Sequence, residues 1–519
     1  MACDVLLVGA FEGEVTVDTA VANSGNGSHA TAVNLLSGNA LARQASVEGF
    51  KGAIGETLVH FSDGRTAAPR VVLFGMGPRG KTDLATFRRA ITAAFRKAKA
   101  LGAAHIAVAA IDPQSVSGAD ARGIGEAIAS YAGMVDYEMN HQKTEKGGYK
   151  APVHFKKLHL VVDAASLVDM GKGLKDGFNI AQGVNLARDL SNEPAGTCTP
   201  RRLADLGKKI ASESGGTIVT KVLDKKQLKK LGAGAFLAVS FGSDQPPYLI
   251  DMLYTPKGGK PDSELTIVGK SVTFDSGGLD IKPADGMRHM KRDMSGGAVT
   301  MAAIRAIAAL GLNIQVRAVM AATENMTGGS AFKPGDVLNT INGLTVEVDN
   351  TDAEGRLTLA DAIEYAKLQG ATRIVDLATL TGAVRMMVGD IASCAFGNND
   401  EFTKLVVETG DSQAERMLNV PMWKDYDASN NTDMADLKNS GGAPGSTTAA
   451  WFIRRFAGED IPWVHLDIAS VAFRDRELGP DPKGATGYGV RTLVACSPPG
   501  EQVSRDGRLS AGKDSSVDR

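Results

Sequence analysis

Cysteine is scarce in this chain: Cys3, Cys198, Cys394 and Cys496 are the only four, and no two form a C-x-x-C pair. That spacing argues against both a disulfide framework and a thiolate metal site. Excess charge of either sign is also missing. The formal net charge is −2 and no basic stripe runs along the sequence, which disfavours nucleic acid as the main partner. Aromatic residues make up 5%. No apolar run reaches membrane length, because the longest, Val299 to Ala322, carries Arg305, Arg317, Gly311 and Asn313. The first strand-like segment, Asp4 to Gly9, follows no basic segment and no long apolar one, so no secretory leader is expected. A cytoplasmic, non-membrane protein is the expectation. What remains is an ordinary globular composition, 43% hydrophobic and 22% charged, with 60 glycines that suggest many tight turns.

At 519 residues the chain exceeds the size at which a single core keeps growing, so two domains are expected. Residues 1–170 read as a smaller α/β unit. Strand-like runs at Arg70–Phe74 and His105–Ala109 flank a helical pattern at Leu84–Leu101, with Phe87, Ile91, Ala94 and Phe95 near one face. Gly75, Gly77 and Gly80 lack dinucleotide-fingerprint spacing and read as a turn. Lys143 to Lys157 reads as a solvated loop, and no acid, base or metal constellation falls in this unit. A linker helix is expected over 171–192, a larger α/β domain over 193–497 and a disordered tail over 498–519. In the larger domain apolar strands alternate with amphipathic helices, the pattern of a mixed or parallel sheet covered by helices on both faces.

Four acids in this domain stand close to glycines and basic residues. Asn350-Thr-Asp-Ala-Glu-Gly-Arg356 packs two carboxylates and a guanidinium around one glycine. If the segment is extended, Asp352 and Glu354 leave the same face. Gly355 permits a tight turn or a close approach, and Arg356 supplies a planar fork suited to an anion. Upstream, the strand Leu265–Val268 leads through Lys270 to Asp275-Ser-Gly-Gly278, Asp280 and Lys282. Asp293 follows, just before a helix start, where alone it reads more readily as a capping acid than as a ligand. Together Asp275, Asp293, Asp352 and Glu354 bring four negative charges, which two divalent cations would offset. No paired histidines accompany them, so the site is carboxylate-built and suits Zn, Mn, Mg or Co. Lysine can join such a shell only as a neutral amine. Two cations roughly 3–4 Å apart could activate one bridging water, which points to metal-assisted hydrolysis.

The runs Val268 to Gly278, Met290 to Gly297 and Asn350 to Leu357, continued by Asp376 to Gly382, Asp436 to Asn439 and His465 to Ala469, resemble the leucyl aminopeptidase family of dinuclear metallopeptidases. The resemblance covers roughly Asn185 to Leu493 and is faint over the first domain. It implies Lys270, Asp275, Asp293, Asp352 and Glu354 as metal ligands. Asp275 and Glu354 would touch both metals, and Lys270 and Asp293 would complete the more exchangeable site. Asp352 would complete the tighter one, partly through its carbonyl. It implies that Lys282 polarises the scissile carbonyl, and that Arg356 holds a bicarbonate which carries the proton from water to the leaving amine. It implies a substrate pocket at Met290, Thr379, Gly382, Ala469 and Ala472, fitting Leu- or Met-like side chains. A bulkier residue is common where Ala472 stands, so a roomier pocket is expected; Asp280 stands where a small neutral residue is common.

The expected activity is removal of N-terminal, mainly leucine-like residues from peptides by a homohexamer with two divalent ions, Zn or Mn first, in each subunit. Two other readings compete. A dinuclear phosphoesterase would usually bring histidines, and a DNA-binding architectural relative is disfavoured by the charge.

Overall fold

The structure, a computed structural model, describes residues 3–15, 29–109, 111–139, 142–258 and 260–496. The tail at 498–519 lies outside the described residues. The chain forms two compact units. Among the described residues, one comprises those within 3–189 together with Gly410–Glu415 and Phe473–Thr486; the other comprises those within 190–409 together with Arg416–Ala472 and 487–496.

In the first unit five strands form one sheet: β1 (Val5–Ala10), β2 (Thr57–Phe61), β3 (Arg70–Gly75), β4 (His105–Val108) and β5 (Lys157–Leu160). Their order is β2-β3-β1-β4-β5, and only β2 runs antiparallel to its neighbour. The helix Leu84–Ala100 buries Phe87, Ile91, Ala94 and Phe95, the stripe read from the sequence. Its start is fixed by Asp83, whose side chain accepts from the Thr86 amide at 2.7 Å. Gly77 and Gly80 both have positive φ, as a turn requires. A 26-residue helix, Leu167–Asn192, places Arg188 with no solvent exposure. Its guanidinium donates to the carbonyls of Met134 and Thr486 and reaches Asp481, which explains why Phe473–Thr486 belongs with this unit.

The second unit is built on β6 (Ile218–Leu223), β7 (Tyr248–Tyr254), β8 (Ser263–Asp275) and β9 (Ile314–Asn325). The short β10 (Val337–Asn339) and β11 (Thr345–Glu347) follow, then β12 (Ile374–Ala378), β13 (Ser393–Gly397), β14 (Met417–Asn419), β15 (Leu437–Lys438) and β16 (Trp463–Asp467). Eight of these form one mixed sheet in the order β14-β13-β16-β12-β8-β9-β7-β6, and β10, β11 and β15 form a small second sheet. The central strands β8, β9, β12 and β16 are mutually parallel. Every residue of β12 and β16 is buried, as expected of a parallel sheet covered by helices. The helix Ser295–Leu310 packs against β8 and β12 so closely that a Cβ at Gly296 would lie 2.1 Å from the Leu377 carbonyl. Glycine is therefore a packing requirement there. The same helix ends on Gly311 in the left-handed conformation, a glycine C-cap.

The described fold thus bears out the two-part α/β architecture with a mixed sheet flanked by helices. Among the described residues no helix is long and apolar enough to cross a membrane.

Candidate metal centre

The site forms where the parallel strands end, the region in which open α/β sheets place their ligands. Lys270 lies within β8 and Asp275 is its last residue. A register shift between Val272 and Phe274 brings Asp275 opposite Asn325, the last residue of β9. Asp293 sits between a single 3-10 turn, Met290–Arg292, and the helix Ser295–Leu310. It does not cap that helix; its Oδ1 accepts from the Thr379 hydroxyl at 2.9 Å. Glu354 immediately precedes the helix Gly355–Leu368. The heptapeptide is not extended, so the condition for Asp352 and Glu354 to share a face is not met: Thr351 and Asp352 form a turn, and the helix begins at Gly355. Three carboxylates nonetheless converge, and one oxygen from each of Asp275, Asp293 and Glu354 lies within 4.8 Å of the others, all buried.

Such a cluster needs positive charge, and two lysines supply it. Lys270 Nζ lies 2.8 Å from both Asp293 Oδ2 and Glu354 Oε1. Neither oxygen makes a directed hydrogen bond, so close charge is not matched by good geometry. Lys282 pairs with Asp275 at 2.8 Å and with Asp352. Burial pushes the carboxyls of Asp275, Asp293 and Asp352 upward, and neighbouring acids push further, against the pull of the lysines. Burial acts to lower Lys270 and Lys282, but the surrounding carboxylates outweigh it and raise both. Buried, underbonded carboxylate oxygens facing one point are the donor set a hard divalent cation takes, so these residues fit a metal centre. Cations bound among the acids would reverse the balance at Lys270 and favour its neutral amine.

Several polar residues hold this arrangement in place. Asn325 Nδ2 donates to Asp275 Oδ1 at 2.9 Å and to the Thr351 carbonyl at 3.1 Å, joining the two acidic segments. Asp280, the departure noted in the sequence, accepts from the Thr351 amide and hydroxyl at 2.7 and 3.1 Å. Asn439 accepts from the amides of Asp349 and Asn350 and donates to the carbonyls of Asn350 and Ala353, clamping the loop before Glu354. None of these supporting roles carries a local sequence signal. Asn439 lies in a run that matched the family, and only the fold reveals what it grips.

Arg356 is buried in the first turn of its helix, and its Nε has no hydrogen-bond partner. Burial pushes its pKa down to about 10, against the pull of Glu354 and Asp467. Of the expected pocket residues, Thr379 touches the cluster directly, because its hydroxyl donates to Asp293 and its carbonyl accepts from Lys270 Nζ at 3.2 Å. Met290 and Ala469 are partly exposed, Gly382 is exposed, and Ala472 is buried.

A carboxylate cluster with flanking lysines, at the strand ends of a mixed α/β sheet, marks the chain as a metal-dependent hydrolase. Residues 185–494 match the catalytic domain of the cytosol aminopeptidase family and residues 7–146 match its N-terminal domain. A "Probable cytosol aminopeptidase" of Alkaliphilus oremlandii is 38% identical over 94% of this chain and 95% of its own length. One from Solibacter usitatus is 42% identical over 85% and 89%. Among solved structures, a tomato leucine aminopeptidase variant superposes with a TM-score of 0.83 at 32% identity, covering 96% of this chain and 94% of that one. The bottromycin maturation enzyme BotP in complex with Mn gives 0.80 at 30%, covering 95% and 99%. The chain belongs to the cytosol aminopeptidase family, and its activity is that of a metal-dependent aminopeptidase, a hydrolase acting on peptides.

Proposed function

We propose that this aminopeptidase removes leucine-like N-terminal residues using two divalent ions held by Lys270, Asp275, Asp293, Asp352 and Glu354. Convergence of the three buried carboxylates within 4.8 Å is the observation that carries this reading. When bound, such ions, Zn or Mn foremost and Mg or Co as alternatives, would supply Lewis acidity and lower the pKa of a bound water so that a hydroxide nucleophile forms near neutral pH. The chain's own residues do the rest. Lys282, only partly buried and flanked by Asp275 and Asp352, presents a positive charge where a scissile carbonyl oxygen gains negative charge.

Arg356 would hold a bicarbonate. Its charge is buried, its Nε lacks a partner, and it lies at a helix N-terminus, where the helix dipole also favours an anion. Bicarbonate held there would supply the proton acceptor and donor that the hydrolysis needs, with Arg356 as the group that holds it. Met290, Thr379, Gly382, Ala469 and Ala472 wall the pocket for the first side chain; four of them are small enough to leave room for leucine or methionine. A homohexamer of two stacked trimers in the cytoplasm completes the reading.

The test is hydrolysis of Leu-amide at about pH 8.5 after chelation and readdition of Mn, Co or Zn, with N-acetyl-Leu-amide as the control. Loss on chelation, recovery with metal and inertness of the blocked substrate are expected. Turnover of the acetylated compound, or activity indifferent to chelation, would sink the proposal.

A further inference from the structure

Below the Arg356 site lies a buried set of charges that the reaction outlined above does not use. On β16 the residues Trp463, His465 and Asp467 alternate onto one face and are all fully buried. In the neighbouring β12, Asp376 pairs in register with His465, and Ala378 with Asp467. His465 Nδ1–H donates to Asp376 Oδ1 at 2.6 Å, and Trp463 Nε1–H donates to Asp376 Oδ2 at 2.6 Å. The imidazole stacks between aromatic neighbours, with ring centroids 6.0 Å from Phe396 of β13 and 6.4 Å from Trp463. Its other nitrogen, Nε2, is buried without a hydrogen-bond partner. Apart from Asp376, the charged groups acting on His465 are Asp467 and Arg356. The remaining titratable neighbour on β13 is Cys394, opposite Asp467, whose thiol burial pushes up to about 12 and so keeps neutral.

We propose that His465 is a positioning residue for the anion site at Arg356: it carries a buried positive charge that offsets Asp467 and leaves Arg356 free to hold an anion. The inference rests on the reading of Arg356 as an anion holder. Charge balance carries it. Asp376 and Asp467 contribute two negative charges and Arg356 one positive, while Glu354, which also acts on Arg356, is already matched by Lys270 at 2.8 Å. With a neutral His465 the set is net negative and resists a further anion; with an imidazolium it is balanced. Burial works against the imidazolium, yet Asp376 and Asp467 outweigh burial and Arg356, and raise the proton affinity of His465. His465 makes no contact with substrate in this scheme. It acts through Asp467 and Arg356.

The experiment uses the full chain, metal-saturated in CO2-free buffer and titrated with potassium bicarbonate. Two readouts are taken: Leu-amide turnover, and the shift of the thermal unfolding midpoint without substrate. One unit charge acting over roughly 10 Å at an effective dielectric of about 20 changes affinity on the order of tenfold. His465→Gln is expected to raise the half-effective bicarbonate concentration about tenfold in both readouts.

Asp467→Asn is expected to lower it, an opposite sign that a merely structural role would not produce. The asparagine fits the site. Its Oδ1 can keep the amides of Leu380, Thr381 and Ala469, and its Nδ2 can donate to Thr381 Oγ1 while that hydroxyl turns to Ser446. If wild type responds and both variants respond at the wild-type concentration, the role of His465 is overturned while the anion site stands. If wild type shows no bicarbonate response in either readout, the anion site itself fails and the inference falls with it. Should His465→Gln not fold, the sign of the Asp467→Asn effect decides: a tighter response supports the proposal, and an unchanged or weaker one refutes it.

Discussion

Lys270 reaches the acidic cluster only because residue 355 has no side chain: a Cβ on Gly355 would lie 2.5 Å from Lys270 Nζ and 2.6 Å from its Cε. The sequence suggested that this glycine serves a tight turn or a close approach. Close approach is the reason, since Gly355 opens a helix. Gly355→Ala should therefore push Lys270 off Asp293 and Glu354. Activity or metal affinity is expected to fall on the order of 10–100-fold, the usual cost of disturbing a ligand's support. Thermal stability should fall as well, because Lys270 would be parted from two buried carboxylates. Metal content by elemental analysis, measured beside the melting temperature, checks this. A variant that keeps its metal and melts as the wild type does would contradict it.

Asn325→Ala removes the donor that holds Asp275 against the Thr351 carbonyl. Metal affinity is expected to drop about 10–100-fold. Asn325→Asp should lose less metal affinity than alanine, because it also lacks the donor to Asp275 but its added negative charge attracts a cation. Competition titrations with a chelator read both variants, and the ordering of the two is the sharper test.

Much of this architecture could be read from spacing, and the unread part has a common cause. The helix Leu84–Ala100, the strands β1, β3, β4 and β12, and the glycine stops after Leu310 and Leu368 all carry local signals: apolar period, N-cap chemistry or a residue with positive φ. The acids Asp275, Asp293 and Glu354 were legible because they stand beside glycines and basic residues in short runs. Asn325, Asn439, Asp376 and His465 were not, because strand register and loop closure give them their roles across long sequence separations. His465 meets Asp376 only because β16 and β12 are paired. That Asp352 and Glu354 do not lie in an extended segment has a related reason. Contacts from Asn439 and Asp280 hold the segment as a turn, and neither is near it in sequence.

Asp361 makes a pH-dependent contribution to stability. It is fully buried, its two oxygens accept from the amides of Phe236 and Ile341, and burial nevertheless pushes its carboxyl up to about 7. The folded chain therefore binds a proton that the unfolded chain, near 3.8, has already released. This contribution is present at acid pH and is lost as pH rises toward 7, at about 1.4 kcal/mol per pH unit within the window. Asp361→Asn should lower stability by about 1–3 kcal/mol, since its amide nitrogen faces a backbone N–H, but it should flatten that slope. Melting curves of both proteins from pH 5 to 8 at saturating metal separate the two effects. Parallel curves would show that Asp361 stays ionised throughout.

Lys282 separates support of the metals from support of the reaction. It pairs with Asp275 and Asp352, so its charge competes with any cation for those oxygens. Removing it by Lys282→Ala should leave metal affinity unchanged or tighter, because the acids lose a competitor. Turnover should still fall, by about 10²–10³-fold, if the ammonium stabilises the developing oxyanion, and the loss should lie in kcat rather than KM. The contrast with Asn325→Ala is the useful part: one variant should lose metal and activity together, the other activity alone. Kinetics of Leu-amide hydrolysis with metal content measured on the same samples settle the matter. A Lys282→Ala protein that loses its metal would place Lys282 among the residues that build the centre rather than those that act on substrate.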